Sequence, residues 1–138
     1  MKKLVAAVVL GYAWLMLTGY LINDIWLMHD YMLSPDSWRT MPEMQHKFWI
    51  MWAGELLFTV MFVWVYSRGI EKKSWLGQGI RYGIVMSLLV MIPECLYEYV
   101  IYRVHHMLAI KWMVSGTAQL IVMGLIVAFV YKAPNQEA

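Results

Sequence analysis

Residues 112–131 read WMVSGTAQLIVMGLIVAFVY, a run without a single charged side chain. A hydrocarbon core about 30 Å thick is crossed by roughly 20 apolar residues rising about 1.5 Å each. By length and composition the run is therefore a membrane-spanning helix. Three more stretches qualify: 4–22 carries no charge, 48–67 only Glu55, and 82–102 Glu94 and Glu98. With their flanks the predicted spans are 4–27, 46–67, 79–103 and 110–131. The connections are too short for another domain, so 1–138 reads as one integral membrane domain, an all-α four-helix bundle.

Composition agrees with that reading. Hydrophobic residues make up 62% of the chain against roughly 45–50% in soluble domains. Charged residues make up 14% where about 25% is usual, too few to solvate the surface of a small soluble enzyme. Eight Trp, nine Tyr and thirteen Met oppose disorder. Cys95 stands alone, which excludes an internal disulfide and a cysteine-based metal site. Met1-Lys2-Lys3 before an apolar run resembles a signal peptide, but the run is long and no Ala-x-Ala follows, so an uncleaved first span is expected. Pro42 suits the first turn of the helix that becomes the second span, Ser67-Arg68-Gly69 suits its end, and Pro134 closes the fourth.

Orientation follows from the eleven Lys and Arg. Seven (Lys2, Lys3, Arg68, Lys72, Lys73, Arg81, Lys132) fall on one side and four (Arg39, Lys47, Arg103, Lys111) on the other, which places both termini in the cytoplasm. Lys72-Lys73 reads as a topology signal with lipid headgroup contact, not a nucleic-acid patch. A loose parallel duplication of a two-helix unit is visible. Gly54-Glu55-Leu56 and Val65-Tyr66-Ser67-Arg68 of the second span answer Ala118-Gln119-Leu120 and Val130-Tyr131-Lys132 of the fourth.

The costly residues come next. An ionisable group in hydrocarbon costs on the order of 2.5–3.5 kcal/mol on insertion scales. Glu94 and Glu98, four apart, are expected about 40° apart on one helix face. That face extends to Ser87 and Met91 below and to His105 above if the helix continues. With Glu55, Gln119 and Asp24 they form the expected polar pocket, open to the outer side. Pro93 removes the hydrogen bond to the Leu89 carbonyl, so a kink next to Glu94 and a hydrated site are expected. Gly77, Gly79 and Gly83 suit close helix packing, not a phosphate loop.

All four histidines, His29, His46, His105 and His106, fall in the outer loops or at helix ends, among methionines and carboxylates. With Glu43 they form a candidate transition-metal set. Imidazole and thioether suit copper, and Glu43-x-x-His46 with Glu94 and Glu98 suits a di-iron site. Interfacial hydrogen bonding by the histidines and core filling by the methionines are the competing readings. No histidine lies within a span, which disfavours a buried haem but not one at the outer surface.

The short first span with Asn23-Asp24, Trp38-Arg39 and Met44 before the second, Trp75-x-Gly77-x-Gly79-x-Arg81-Tyr82-Gly83 opening the third, and the closing Val130-Tyr131-Lys132 resemble a family of small four-span bacterial membrane proteins of uncharacterised function. The resemblance implies a bacterial inner membrane and brings no activity with it. Three functions stay open: handling or transport of a cation, proton or metal at the acidic pocket; a non-catalytic accessory or assembly subunit of a larger membrane complex; and a metal- or haem-binding redox protein. No nucleophile–base pair stands out, so no catalytic residue is assigned. The expected partners are the lipid bilayer and a homodimer or larger complex, without nucleic acid.

Overall fold

Two helices begin earlier than hydropathy places them, because capping side chains set the start. In the computed structural model, which describes residues 1–71 and 74–132, Ser74 Oγ accepts the Gly77 amide at 3.4 Å and the helix opens at Trp75. Arg81 therefore lies inside that helix and pairs with Glu71 at 3.0 Å. His105 Nδ1 accepts the Met107 amide, and the last helix opens at His106. Hydropathy marks where charge stops; a cap marks where the backbone turns helical. Lys72, Lys73 and Pro134 lie outside the described residues.

In chain order the elements are α1 (Lys2–Tyr20), a π-helical stretch Leu21–Trp26, α2 (Met28–Met32), a 3-10 turn Pro35–Ser37, α3 (Met41–Gln45), α4 (Phe48–Arg68), α5 (Trp75–Met86), a second π-helical stretch Ser87–Met91, α6 (Ile92–Ile101) and α7 (His106–Tyr131). Joined through the π stretches they give four helices long and apolar enough to cross a membrane: Lys2–Trp26, Phe48–Arg68, Trp75–Ile101 and His106–Tyr131. The described chain is all-helical, as the sequence predicts. Pro42 does sit in the first turn of a helix, α3, but α3 ends at Gln45 and does not become the second span. Lys47 N–H turns back to the Met44 carbonyl at 2.8 Å, an i→i−3 bond that closes α3 before α4 starts at Phe48.

The fourth long helix, α7, contacts each of the others. Its closest neighbour is α5, because both present small residues there. A methyl group added at Gly79 would come within 2.9 Å of Ala128 Cβ and of the Gly124 carbonyl oxygen. One added at Gly83 would meet the Leu120 carbonyl oxygen at 2.6 Å. Such close backbone approach maximises van der Waals contact, the main cohesive force between helices in lipid. Of the three glycines singled out in the sequence, Gly79 and Gly83 make this contact. Gly77 faces only Ser74 Oγ, at 4.0 Å.

On the other side α1 meets α4 and α7. Gly11 lies where Met123 and Thr59 converge, within a core of Ala7, Leu15, Phe62, Val63, Leu120, Met123 and Val127. Tyr82 joins α5 to α4 by donating its hydroxyl to the Phe62 carbonyl at 2.6 Å. At one end of the bundle Lys3 Nζ reaches the Tyr131 and Lys132 carbonyls at 3.4 and 3.2 Å, satisfying the C-terminus of α7. This is called the Lys3 end, and the opposite one the Tyr31 end.

Candidate functional site

The Tyr31 end holds the densest set of polar and aromatic groups. Leu27 is fully buried, and α2 follows it across the end of the bundle. The Tyr31 hydroxyl donates to Asn23 Oδ1 at 2.6 Å and accepts from Trp112 Nε1 at 2.9 Å. Its backbone carbonyl accepts from Trp38 Nε1 at 3.1 Å. The Trp38 ring stands edge-on to Tyr31 and to Trp112, with centroids 5.1 and 6.1 Å away, and lies against Tyr102 at 5.7 Å. Ser37 Oγ donates to the Arg103 carbonyl at 3.1 Å, which fastens the loop to the chain leaving α6.

Next to this cluster Lys111 binds both carboxylate oxygens of Asp30, at 2.7 and 2.8 Å, and lies 5.7 Å from the Trp26 ring centroid. Burial pushes the Tyr31 hydroxyl above its ordinary value of 10.0; the Trp112 hydrogen bond pulls back, and the charges of Glu98, Asp24 and Asp30 add to the rise. Tyr31 thus stays protonated at neutral pH and keeps its bond to Asn23.

Of the five residues expected to share one acidic pocket, Gln119 and Glu55 meet adjacent residues of α1, while Asp24 and Glu98 border Tyr31. Gln119 Nε2 donates to Thr18 Oγ1 at 2.7 Å, and Trp14 Nε1 donates to the Gln119 carbonyl at 3.0 Å, so Gln119 joins α1 to α7. Glu55 lies against Gly19 of α1, where a Cβ would be 3.9 Å from its carboxylate. Asp24 and Glu98 belong to the Tyr31 surroundings. Glu94 is exposed, although Glu98 on the same helix is half-buried. Two open depressions mark the surface: an apolar groove of about 530 Å³ between α1 and α7, and a recess of about 500 Å³ lined by Ser34, Asp36, Ser37, Tyr102 and Arg103. None of the five lines either depression.

The proposed metal set is also dispersed. Glu43 accepts the Thr40 amide and hydroxyl at 3.0 and 2.9 Å in a capping box at the start of α3. His46 caps the other end of α3, and His29 is exposed on α2. The His105 and His106 rings lie 4.1 Å apart, with His105 Nδ1 engaged by Met107. The third helix ends at Ile101, so His105 does not extend the Glu94 and Glu98 face. Among the described residues no three His, Cys, Asp or Glu side chains gather into a group that could hold a metal ion.

Tyr31, Trp38 and Trp112 and the Asp30–Lys111 pair were not singled out from the sequence as a unit. The interleaved aromatic and charged residues at 26–38 and 111–112 were the only signal, and spacing cannot pair residues 81 positions apart. Comparison with protein-family models, with curated proteins and with solved structures finds no match to this chain. Chemically, the arrangement ties α2 and the loop after it to the start of α7 with satisfied hydrogen bonds and packed rings.

Proposed function

We propose that the chain is a polytopic bacterial inner-membrane protein that acts as a non-catalytic subunit of a larger membrane assembly. The observation that carries this reading is Glu94. It is exposed on the outside of the bundle, seven residues before the end of the third long helix at Ile101. Tyr97, 74% exposed, and Ile101, 67% exposed, lie on the same stripe at helical spacing. A carboxylate facing lipid there costs on the order of 2.5–3.5 kcal/mol, and a polar group on a partner helix offsets that cost. The ring-packed Tyr31 end and the position of Glu94 away from either depression favour a docking role over a conduit within one bundle.

The basic residues at the Lys3 end support a cytoplasmic position for it, with the Tyr31 end outside. A parallel repeat of two-helix units has added support from the π stretches Leu21–Trp26 and Ser87–Met91, which interrupt the first and third helices.

A photo-crosslinking side chain at Tyr97, with one at Leu57 of α4 (64% exposed) as control, tests the reading in native membranes. Crosslinking to one discrete partner from position 97, absent from position 57 and reduced severalfold by Glu94→Leu, is the expected result. No crosslink from position 97, with a free monomer in lipid-preserving polymer discs, would sink it.

A further inference from the structure

The apolar groove lies on another part of the surface from Glu94 and runs toward the Lys3 end. Leu10, Ala13 and Leu17 of α1 form one wall and Leu125 and Phe129 of α7 the other, with Trp75 of α5 at its margin. Along α1 the groove runs from Leu10 to Leu17, a rise of about 10 Å at 1.5 Å per residue. One leaflet contributes about half of a 30 Å hydrocarbon core, so the groove fits within one leaflet. Its volume of about 530 Å³ suits a single hydrocarbon chain.

The mouth of the groove carries charge of one sign. Lys132 Nζ lies 4.1 Å from the Phe129 ring centroid and 5.5 Å from that of Trp75, both groove-lining residues. Lys3 Nζ is held at the same end of the bundle by the Tyr131 and Lys132 backbone carbonyls. Among the described residues neither ammonium has a carboxylate partner. An ammonium over an aromatic face keeps free N–H donors. Basic groups between spans at the cytoplasmic side are suited to anionic headgroups.

We propose that this groove is a binding site for an anionic phospholipid, with one acyl chain between α1 and α7 and its phosphate against Lys132 and Lys3. The inference depends on the chain residing in a bilayer and not on the docking role of Glu94. The ring contacts hold Lys132 over the groove, so the phosphate and the acyl chain are recognised together. A zwitterionic lipid fills the same groove but brings a choline cation toward the two ammonium groups, which lowers its residence.

The test uses native mass spectrometry of the full chain in detergent with equal amounts of phosphatidylglycerol and phosphatidylcholine. The wild type is expected to retain one phosphatidylglycerol at least fivefold over phosphatidylcholine. Lys132→Gln should bring the ratio near unity, and Ala13→Phe, which fills the groove, should reduce retention of both. Equal retention by the wild type, or undiminished preference in Lys132→Gln, would overturn the proposal. So would a dimer that excludes lipid, because a second copy would then occupy the groove. Should Ala13→Phe fail to fold, bromine-labelled acyl chains give an independent readout. Quenching of indole fluorescence by labelled phosphatidylglycerol should exceed that by labelled phosphatidylcholine and fall in Trp75→Phe, and equal quenching by the two lipids would again overturn the site.

Discussion

At Gly83 a methyl group would approach the backbone of α7, with the Leu120 carbonyl oxygen 2.6 Å away, whereas at Gly54 it would meet nothing within 4 Å. The two glycines therefore respond in opposite ways to alanine. Gly83→Ala should destabilise the bundle by about 1–3 kcal/mol, the usual cost of overpacking, seen as a lower midpoint in detergent-induced unfolding. Gly54→Ala should be neutral or gain up to about 1 kcal/mol by restricting the unfolded chain. A second residue-scale prediction concerns Glu43. The Thr40 hydroxyl and then the Thr40 amide hold its carboxylate below the ordinary value of 4.5, with Arg39 and Lys47 adding a smaller pull. A lowered folded value means that its stabilisation is present above pH 4.5 and is lost as pH falls through the lowered value. Protection of the α3 amides, taken relative to their intrinsic exchange rates at each pH, should fall across that window in the wild type. Glu43→Gln should remove the extra pH sensitivity; an unchanged profile would contradict the capping role.

The elements show where helical extrapolation works and where it stops. Pro93 marks an irregularity in the sequence, yet the mismatch is taken up before it. The Ile92 amide reaches the Ser87 carbonyl in an i→i−5 pattern, and this widened turn within the continuous helix Trp75–Ile101 makes room for the Pro93 ring against the preceding turn. Pro93→Ala should consequently raise stability by less than about 1 kcal/mol, against the roughly 3 kcal/mol expected for relief of a proline in a regular helix interior. Equilibrium unfolding of the two proteins in the same detergent decides between these values. The wider π turn also upsets any angle counted from Ser87 or Met91 to Glu94 at 100° per residue. In the first helix the Leu27 amide reaches the Ile22 carbonyl in the same way, with no proline to announce it. Helix existence and approximate length were legible because they depend on local composition. The helix starts at Trp75 and His106 were not, because a single side chain at Ser74 or His105 decides them.

Across the whole molecule, contacts remote in sequence close the bundle. The Asp30–Lys111 pair ties the loop after the first long helix to the start of the last, with the two side chains 16% and 31% exposed. Lys111→Met leaves the Asp30 carboxylate unpaired, so it should be more damaging than the combined Asp30→Asn and Lys111→Met change. A double-mutant cycle should give a coupling of about 1 kcal/mol, and protease cleavage within 33–40 should rise in the single variant. Additive effects would show that the pair contributes nothing to closure. Alkali should open the same region. The raised Tyr31 value means that its contribution is complete below pH 10 and declines as pH rises through the raised value. Trp112→Phe removes the hydrogen bond that favours the ionised form, so its alkaline transition should move upward in pH.

The sequence by itself determined four apolar helices, because the length of an uncharged run and the need to satisfy every backbone group in lipid leave few alternatives. Charged and polar residues could be assigned to a helix but not to a partner. Spacing fixes angles within one regular helix and says nothing about rotation or depth relative to its neighbours. Those were decided by the close approach of α5 to α7 at Gly79 and Gly83 and by the two π stretches. Together they place Gln119 against Thr18, Tyr31 against Trp112, and Glu94 outside the bundle.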